Sequence, residues 1–291
     1  MDDNMMYDAG IGFDPLGVDE EAKYWDDVYS NGPVSRGRVY QVYNKAHRDY
    51  YELVRTEILK RKKEKGNVNV LEIGCGTGES CHKWAELGAD VIGMDISHEA
   101  ILKAKMDRII SMAMTRMEER LIYGTDHMYK QHLEIYEKIK PPLFIRFDVN
   151  EINVKYKDDL IVGTGILHHL NLSVVMNKIK EALRPGGKII FIEPLGGNPL
   201  INLYRRLTPG RRTKNERPLR RGDIELLNRY FPGLRVYYYH CFSICAALFA
   251  RTRYFKLAYR FSWWVDKWFF RIPCMKRFAW VAVIEGLKGK D

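Results

Sequence analysis

Short apolar runs alternate with amphipathic segments through the central part of the chain. Glycine, proline or acidic residues follow the runs, and the segments between them have helical periodicity. This alternation predicts parallel strands joined by helical crossovers, and therefore an α/β fold. The predicted strands lie at 70–73, 90–94, 143–147, within 157–170 and at 188–192, and further strands follow at 234–239 and 278–285.

The first 66 residues precede this pattern and divide into two parts. Residues 1–20 have no periodicity, and we expect them to form a mobile acidic arm. Residues 21–66 predict two helices, of which the second, at about 39–63, ends in a basic run. Their aromatic stripe suits either a lid over a site or ordinary packing, and it comprises Tyr24, Trp25, Tyr40 and Tyr43. The α/β domain then covers 67–291.

The net charge of +10 is unevenly distributed. The first thirty residues carry nine acidic residues against one lysine, whereas 205–221 and 251–277 each carry eight basic residues and one acid. The first basic segment could bind an anionic acceptor, or it could form a solvated basic face. The second joins aromatic residues to its arginines and lysines. That combination suits an amphipathic segment at an anionic membrane surface, or a helical hairpin that covers the core.

Several classes of protein are disfavoured by the sequence. No apolar segment reaches the roughly 18 to 20 uncharged residues that span a bilayer, and the acidic start does not resemble a secretion signal. We therefore expect a cytoplasmic protein, with peripheral association at the inner membrane face as an open alternative.

Five widely spaced cysteines favour reduced thiols. Cys241 and Cys245 have no second pair nearby, so we interpret them as core residues and expect no metal site.

The most specific motif follows the first predicted strand. Residues 70–78 read VLEIGCGTG, with glycines at alternate positions that allow a tight turn and close approach of a ligand. A dinucleotide fingerprint would need a glycine where Glu79 stands, so a pyrophosphate site is not indicated. Glu72 instead suits a cationic or hydroxyl-rich ligand. Asp95 comes 19 residues after Gly76, the distance at which a neighbouring strand brings an acid to ribose hydroxyls.

Glu72 and the three glycines after it resemble the first motif of class I S-adenosylmethionine-dependent methyltransferases, and later motifs match in order from about 68 to 194. The resemblance implies a Rossmann-like, seven-stranded, mostly parallel sheet with flanking helices, an antiparallel last strand and an N-terminal helical lid. It also implies S-adenosylmethionine as cofactor and S-adenosylhomocysteine as product. Relative to that family, segments at about 112–140 and 244–276 look inserted. The first is rich in methionine, which suits core packing or a pocket for an apolar ligand.

The same resemblance implies roles for individual residues. Asp95 would bind the ribose, and Ile96 would lie beside the adenine. Asp148 would bind the adenine amino group, while the next backbone amide, that of Val149, would bind a ring nitrogen. The expected cofactor-binding residues are Glu72, Gly74, Cys75, Gly76, Gly78, Asp95, Ile96, Asp148, Val149 and Thr164.

Methyl transfer from a sulfonium is an in-line displacement, so the protein mainly aligns the nucleophile and excludes water. A hydroxyl or amine acceptor also needs a base, and histidine is the side chain best matched to neutral pH. His168 and His169 follow the fourth strand, and one of them is predicted to act as base or to position the acceptor, unless both only pack. In an extended segment at most one of them would face the substrate. Glu193, after the fifth strand, is predicted to be a base, an acceptor ligand or a structural cap.

These observations predict methyl transfer to a small or lipid-like acceptor. The basic segments are compatible with an anionic acceptor. Oxygen is favoured over nitrogen and carbon as the atom that is methylated. An RNA methyltransferase is an alternative because basic and aromatic residues are interleaved. However, GTGI stands where base-methylating relatives place N-P-P-[YF], and no RNA-binding module is visible. A non-catalytic, membrane-associated protein that binds the cofactor is the other alternative.

Overall fold

The computed structural model describes residues 17–30, 42–106, 140–152, 157–208 and 216–290. The acidic arm up to residue 16, Tyr40 and the insertion at 112–140 up to residue 139 lie outside the described residues. What the sequence indicates for those parts stays a prediction.

The strands of the described residues form one seven-stranded sheet. They are β1 Asn69–Ile73, β2 Asp90–Asp95, β3 Leu143–Arg146, β4 Asp158–Thr164, β5 Leu183–Pro194, β6 Arg235–Tyr239 and β7 Val281–Leu287. Their order in the sheet is β3-β2-β1-β4-β5-β7-β6. Neighbours among β1 to β5 pair in parallel, whereas β7 is antiparallel to both β5 and β6. The predicted Rossmann-like sheet is confirmed.

Helices flank the sheet and connect its strands. They are α1 Gly17–Ser30, α2 Asn44–Lys65, α3 Glu79–Glu86, α4 at 98–106, α5 Leu172–Ala182, α6 Pro199–Leu207, α7 Arg221–Tyr230 and α8 Phe255–Phe269. Shorter 3-10 helices cover Val149–Glu151, Leu167–His169, Ser243–Phe249 and Pro273–Phe278. The predicted strand within 157–170 ends at Thr164, and the residues after it form a turn.

Alternate residues of the strands supply two separate hydrophobic layers, one on each face of the sheet, as expected for strands buried on both sides. On β1, Val70 packs with Tyr50 and Ile58 of α2 and with Trp84 of α3. The next residue, Leu71, belongs to the opposite layer. That layer contains Met176 and Ile179 of α5, and Leu227 and Phe231 in and after α7. The helices therefore cover both faces and leave the strand ends as the place for a site.

Ion pairs fix α2 near the amino ends of the strands. Asp159 at the start of β4 is 1% exposed, and its carboxylate pairs with the ammonium of Lys65 at the end of α2 and accepts a hydrogen bond of 2.9 Å from the amide of Asn69. The ammonium of Lys188 lies 2.8 Å from carboxylate oxygens of both Glu57 and Glu285, which joins α2 to β7. These buried charges belong to the edge away from the glycine turn, and they hold the fold together.

The insertion between β6 and β7 contains α8 and the two flanking 3-10 helices. Asp266 of α8 is 2% exposed, and its carboxylate accepts hydrogen bonds from the amides of Cys241, Phe242 and Ser243 at 3.2, 2.6 and 3.1 Å. Burial raises the pKa of Asp266 even though these amides favour the charged form. The insertion contains one α-helix rather than a hairpin of two, and Phe255 and Tyr259 of α8 pack against the buried residues Val42, Ala246 and Ala247, whereas four of its large apolar residues are exposed.

We predict that Asp266→Asn destabilises the protein by about 3 kcal/mol, because one amide oxygen cannot satisfy three backbone N–H donors, two of which are buried. Urea unfolding followed by circular dichroism measures this change. The control is Glu225→Gln, which removes an exposed ion pair with Arg221 and should cost well under about 1 kcal/mol. Equal stability of Asp266→Asn and the wild type would contradict the anchoring role.

Candidate active site

The turn after β1 needs glycine for two reasons. Gly76 and Gly78 have φ angles of 54° and 77°, in the left-handed region that favours glycine. A Cβ atom on Gly76 would lie 2.6 Å from the hydroxyl oxygen of Tyr29, and one on Gly78 would lie 2.5 Å from the ring of Phe144. The turn is therefore packed tightly against α1 on one side and against β3 on another.

Glu72 lies near the end of β1 and is 1% exposed. Its carboxylate accepts hydrogen bonds from the hydroxyl of Ser80, from the thiol of Cys81 at 3.2 Å and from the indole N–H of Trp84 at 3.1 Å. Burial raises the pKa of Glu72, whereas the hydrogen bonds from these three donors lower it and only partly offset the effect of burial. Glu72 thus fixes the start of α3, which positions the glycine turn, and its oxygens face α3 rather than the open side of the turn.

Asp95 is the last residue of β2 and is 8% exposed. One carboxylate oxygen accepts from the amide of Gly76 at 2.8 Å, and the other accepts from the amide of Ser97 at 2.9 Å. Burial raises the pKa of Asp95, and the two amides oppose that shift. Asp95 consequently joins the glycine turn to the start of α4.

The next two predicted cofactor residues also stand at strand ends. Asp148 follows β3, and its carboxylate accepts from the amide of Asn150 at 2.8 Å, which begins the 3-10 helix that contains the buried Val149. Thr164 is the last residue of β4 and is partly exposed. Because β1 to β5 are parallel, these residues share one edge of the sheet with Asp95.

Glu193 connects β5 to the turn after β4. Its side chain is fully buried, and one carboxylate oxygen accepts from the amides of Ile166 and Leu167 at 2.9 and 2.8 Å. The other oxygen lies 2.8 Å from Nδ1 of His168. The imidazole therefore donates from Nδ1, which leaves the lone pair of its neutral form on Nε2.

His168 and His169 lie side by side, with ring centroids 4.1 Å apart. The condition under which at most one ring would face the substrate, an extended segment, is not met, because Leu167–His169 form a 3-10 helix. Burial and the neighbouring His169 lower the pKa of His168. Burial opposes the charged form of His169 as well, but Glu21 of α1, with a carboxylate oxygen 2.5 Å from Nδ1, raises the pKa of His169.

Helix α1 lies across this edge. The rings of Trp25 and His169 pack edge to face with their centroids 5.8 Å apart, and the Tyr29 hydroxyl lies against Gly76. Asp26 accepts from the Ser97 hydroxyl and, at 3.1 Å, from the amide of Glu99, so it caps the start of α4. Helix α1 thus contacts both the glycine turn and the histidine turn, which is the placement that a lid requires.

A family model described as a methyltransferase domain matches residues 43–242, more than half of the chain. The chain belongs to this methyltransferase family. The family is S-adenosylmethionine-dependent, and the family and the cofactor predicted from the motifs are confirmed.

Curated relatives match a part of this methyltransferase. The ubiquinone biosynthesis O-methyltransferase of Bradyrhizobium diazoefficiens is 27% identical over 126 residues, which are 43% of this chain and 39% of that protein. The protein of the same name from Nitrobacter winogradskyi is 26% identical over 121 residues, 41% of this chain and 36% of that protein. The methyltransferase therefore spans about two fifths of the length of the curated relatives it matches.

A solved structure shares the fold over nearly the whole methyltransferase. The crystal structure of magnesium protoporphyrin IX methyltransferase from Synechocystis PCC 6803 with bound SAH covers 93% of this chain and 95% of its own, with 14% identity and a TM-score of 0.50. This similarity shows the fold.

The structure brings the acidic candidates to one edge of the methyltransferase sheet, and it also shows residues that the sequence did not indicate. Glu21, Asp26 and Ser97 connect α1 to this edge. Glu21 and Asp26 are two of the nine acids in the first thirty residues, and no local pattern distinguishes them. The roles of the individual residues in cofactor binding and catalysis stay predictions.

Proposed function

We propose that this methyltransferase transfers a methyl group to an oxygen atom of a small, lipid-like acceptor. Bound S-adenosylmethionine supplies a methyl group that is already activated for in-line displacement. The observation that carries the proposal is the pair of Glu193 and His168, in which a buried carboxylate holds Nδ1, so that the lone pair of the neutral imidazole lies on Nε2 beside the carboxyl end of β4. Ligands of parallel α/β sheets bind at this end. The names of the curated relatives support oxygen as the atom methylated.

In this proposal the cofactor lies over the glycine turn. Asp95 binds the ribose hydroxyls, Ile96 lies beside the adenine, and Asp148 with the amide of Val149 binds the adenine ring. Glu72 contributes indirectly, because its hydrogen bonds hold α3 and thereby the turn. The partly exposed Thr164 and the glycines allow the backbone to approach the reacting methyl group. His168 then serves as the base or positions the acceptor hydroxyl.

The function is tested with S-adenosylmethionine labelled in the methyl group and a series of hydroxylated aromatic acceptors with and without an alkyl tail. We predict a labelled methyl ether, formed faster with the tailed acceptors, and a fall in kcat of about 100-fold in His168→Ala. His98→Ala, at an exposed histidine on α4, is the matched control and should keep full activity. Labelled product at nitrogen or carbon, or equal turnover in both variants, would contradict this proposal.

The assignment of Asp95 predicts a separate effect on cofactor binding. Asp95→Asn keeps one acceptor oxygen for the turn but removes the charge, so the affinity for S-adenosylmethionine should fall about tenfold or more by calorimetry. Asp90→Asn, at the opposite end of the same strand, is the control and should bind normally. Unchanged affinity in Asp95→Asn would remove the ribose assignment.

The proposed lipid-like acceptor agrees with an exposed apolar stripe on α8, formed by Leu257, Phe261, Trp264 and Trp268. These residues recur at intervals of four, three and four, so they share one helix face, and they are 52% to 70% exposed. Basic residues surround them, and the guanidinium of Arg271 stacks over the Trp268 ring at 3.9 Å. An apolar stripe flanked by cations matches an anionic lipid surface. No helix among the described residues has the length and apolarity needed to cross a bilayer.

The insertion that carries the stripe leaves and rejoins the sheet at its active edge. Val281 pairs with Tyr239 at the end of β6 and with Pro194 at the end of β5, so the insertion leaves the sheet level with Glu193. Helix α6 follows β5 directly and exposes further leucines, which are Leu200, Leu203 and Leu207. A peripheral methyltransferase bound through this surface would hold its acceptor side close to the bilayer.

We predict that the protein floats with vesicles that contain an anionic phospholipid and remains unbound with zwitterionic vesicles. Leu257→Ser combined with Phe261→Ser and Trp264→Ser should abolish flotation. The control combines serine substitutions at Leu143, Val174 and Leu287, which are exposed apolar residues elsewhere on the sheet and helices. Flotation retained by the α8 variant, or absent in the wild type, would refute peripheral binding through α8.

A further inference from the structure

We infer that His168, His169 and Glu216 bind a divalent transition-metal cation, most suitably Zn²⁺, which would hold the acceptor oxygen. This inference rests on the proposed function, because it places the cation between His168 and the acceptor hydroxyl. Each of the three residues offers a ligand atom, and these atoms lie within 4.8 Å of one another. The group lies beside the carboxyl ends of β4 and β5, where the proposed function places the acceptor.

The backbone brings Glu216 to the two histidines. The amide of Arg217 donates to the carbonyl of His168 at 3.0 Å, and the amide of Leu219 donates to the carbonyl of Pro194 at 3.0 Å. Leu219 in turn accepts from the amide of Gly196 at 2.9 Å. Main-chain hydrogen bonds therefore hold the 216–219 segment along the end of β5. Glu216 is consequently a fixed part of this edge.

Both histidines have the outer-sphere partners that metal ligands usually have. Nδ1 of His168 lies 2.8 Å from the buried carboxylate of Glu193, and Nδ1 of His169 lies 2.5 Å from the carboxylate of Glu21. A carboxylate on one ring nitrogen orients the imidazole and leaves the other nitrogen to bind a metal. The hydrogen bond to Glu193 leaves Nε2 of His168 to bind an ion, and His169, whose ring lies at ion-pair distance from Glu21, offers one ring nitrogen to the same ion. This arrangement goes beyond what hydrogen bonding of a single base requires.

The ligand chemistry selects the kind of metal. Two imidazoles and one carboxylate suit Zn²⁺ in a catalytic site, where three protein ligands leave one position open. Mg²⁺ and Ca²⁺ prefer oxygen ligands and are poorly matched by this set. Bond lengths of about 2.0 to 2.2 Å around Zn²⁺ place neighbouring ligand atoms about 3.3 Å apart. Binding would therefore draw the three ligand atoms together by up to about 1.5 Å.

The open position would bind the acceptor hydroxyl. The cation would lower the pKa of that hydroxyl, as it does for bound water, and the released proton would pass to solvent water. The oxygen would then form the new bond to the methyl carbon while the carbon–sulfur bond breaks, and the sulfonium cofactor would become the neutral thioether S-adenosylhomocysteine. Charge and atoms balance without a further reactant.

The test is titration of the full-length protein, first stripped with a chelator, with Co²⁺ as a spectroscopic probe and Zn²⁺ by calorimetry. We expect one ion per chain, with affinity reduced at least tenfold in His169→Ala and in Glu216→Gln. The second substitution is nearly isosteric, so it keeps the test valid if His169→Ala disturbs α1. His98→Ala and Glu225→Gln are matched controls at exposed positions, and both should bind the ion as the wild type does. Absence of stoichiometric binding, or unchanged binding in Glu216→Gln, would overturn the inference.

A second measurement separates the metal site from the proposed function. Chelation should leave S-adenosylmethionine affinity unchanged and should abolish methyl transfer until Zn²⁺ is added back. Full methyl transfer in excess chelator would overturn the metal site while leaving O-methylation intact. Stoichiometric metal binding that the variants weaken, without transfer to any hydroxylated acceptor, would retain the site and refute the proposed function.

Discussion

The architecture of the active edge depends on one buried carboxylate, that of Glu193. A fully buried charge is expensive unless several donors satisfy it, and here two backbone amides and one imidazole do so. Because the amides belong to Ile166 and Leu167, the same carboxylate folds the chain after β4 into a tight turn. The carbonyl of His168 then accepts a hydrogen bond from the amide of Arg217, which belongs to the 216–219 segment. A single acidic side chain thus organises three separate parts of the sequence.

Helix α1 joins the cofactor side of this edge to the acceptor side. Asp26 holds the start of α4, next to the Ser97 amide that Asp95 binds, whereas Glu21 holds His169. One helix therefore touches both halves of the site through carboxylates on the same segment. Opening α1 would expose the glycine turn and release His169 together, so access of cofactor and orientation of the histidine are physically coupled.

The sequence was sufficient for the sheet and for the strand ends, because apolar runs and glycine turns are local signals. The turn that contains His168 and His169 could not be predicted. Its 3-10 conformation is stabilised by hydrogen bonds to the carboxylate of Glu193, which is distant in the sequence. Glu21 and Glu216 were missed for a similar reason. Each is an ordinary acid in its own segment, and only the packing of α1 and the bonds of Arg217 bring these acids to the histidines.

The antiparallel strand β7 lies between β5 and β6, and Val281 faces both Tyr239 and Pro194. The chain between β6 and β7 consequently departs from and returns to neighbouring points of the sheet. Because the two ends of this segment are adjacent, a short hairpin loop could connect β6 to β7 in its place. The order and pairing of the strands therefore do not depend on the segment. The 240–280 region, anchored by Asp266, is therefore an exchangeable module, through which the surroundings of the catalytic edge can change while the strand register stays the same.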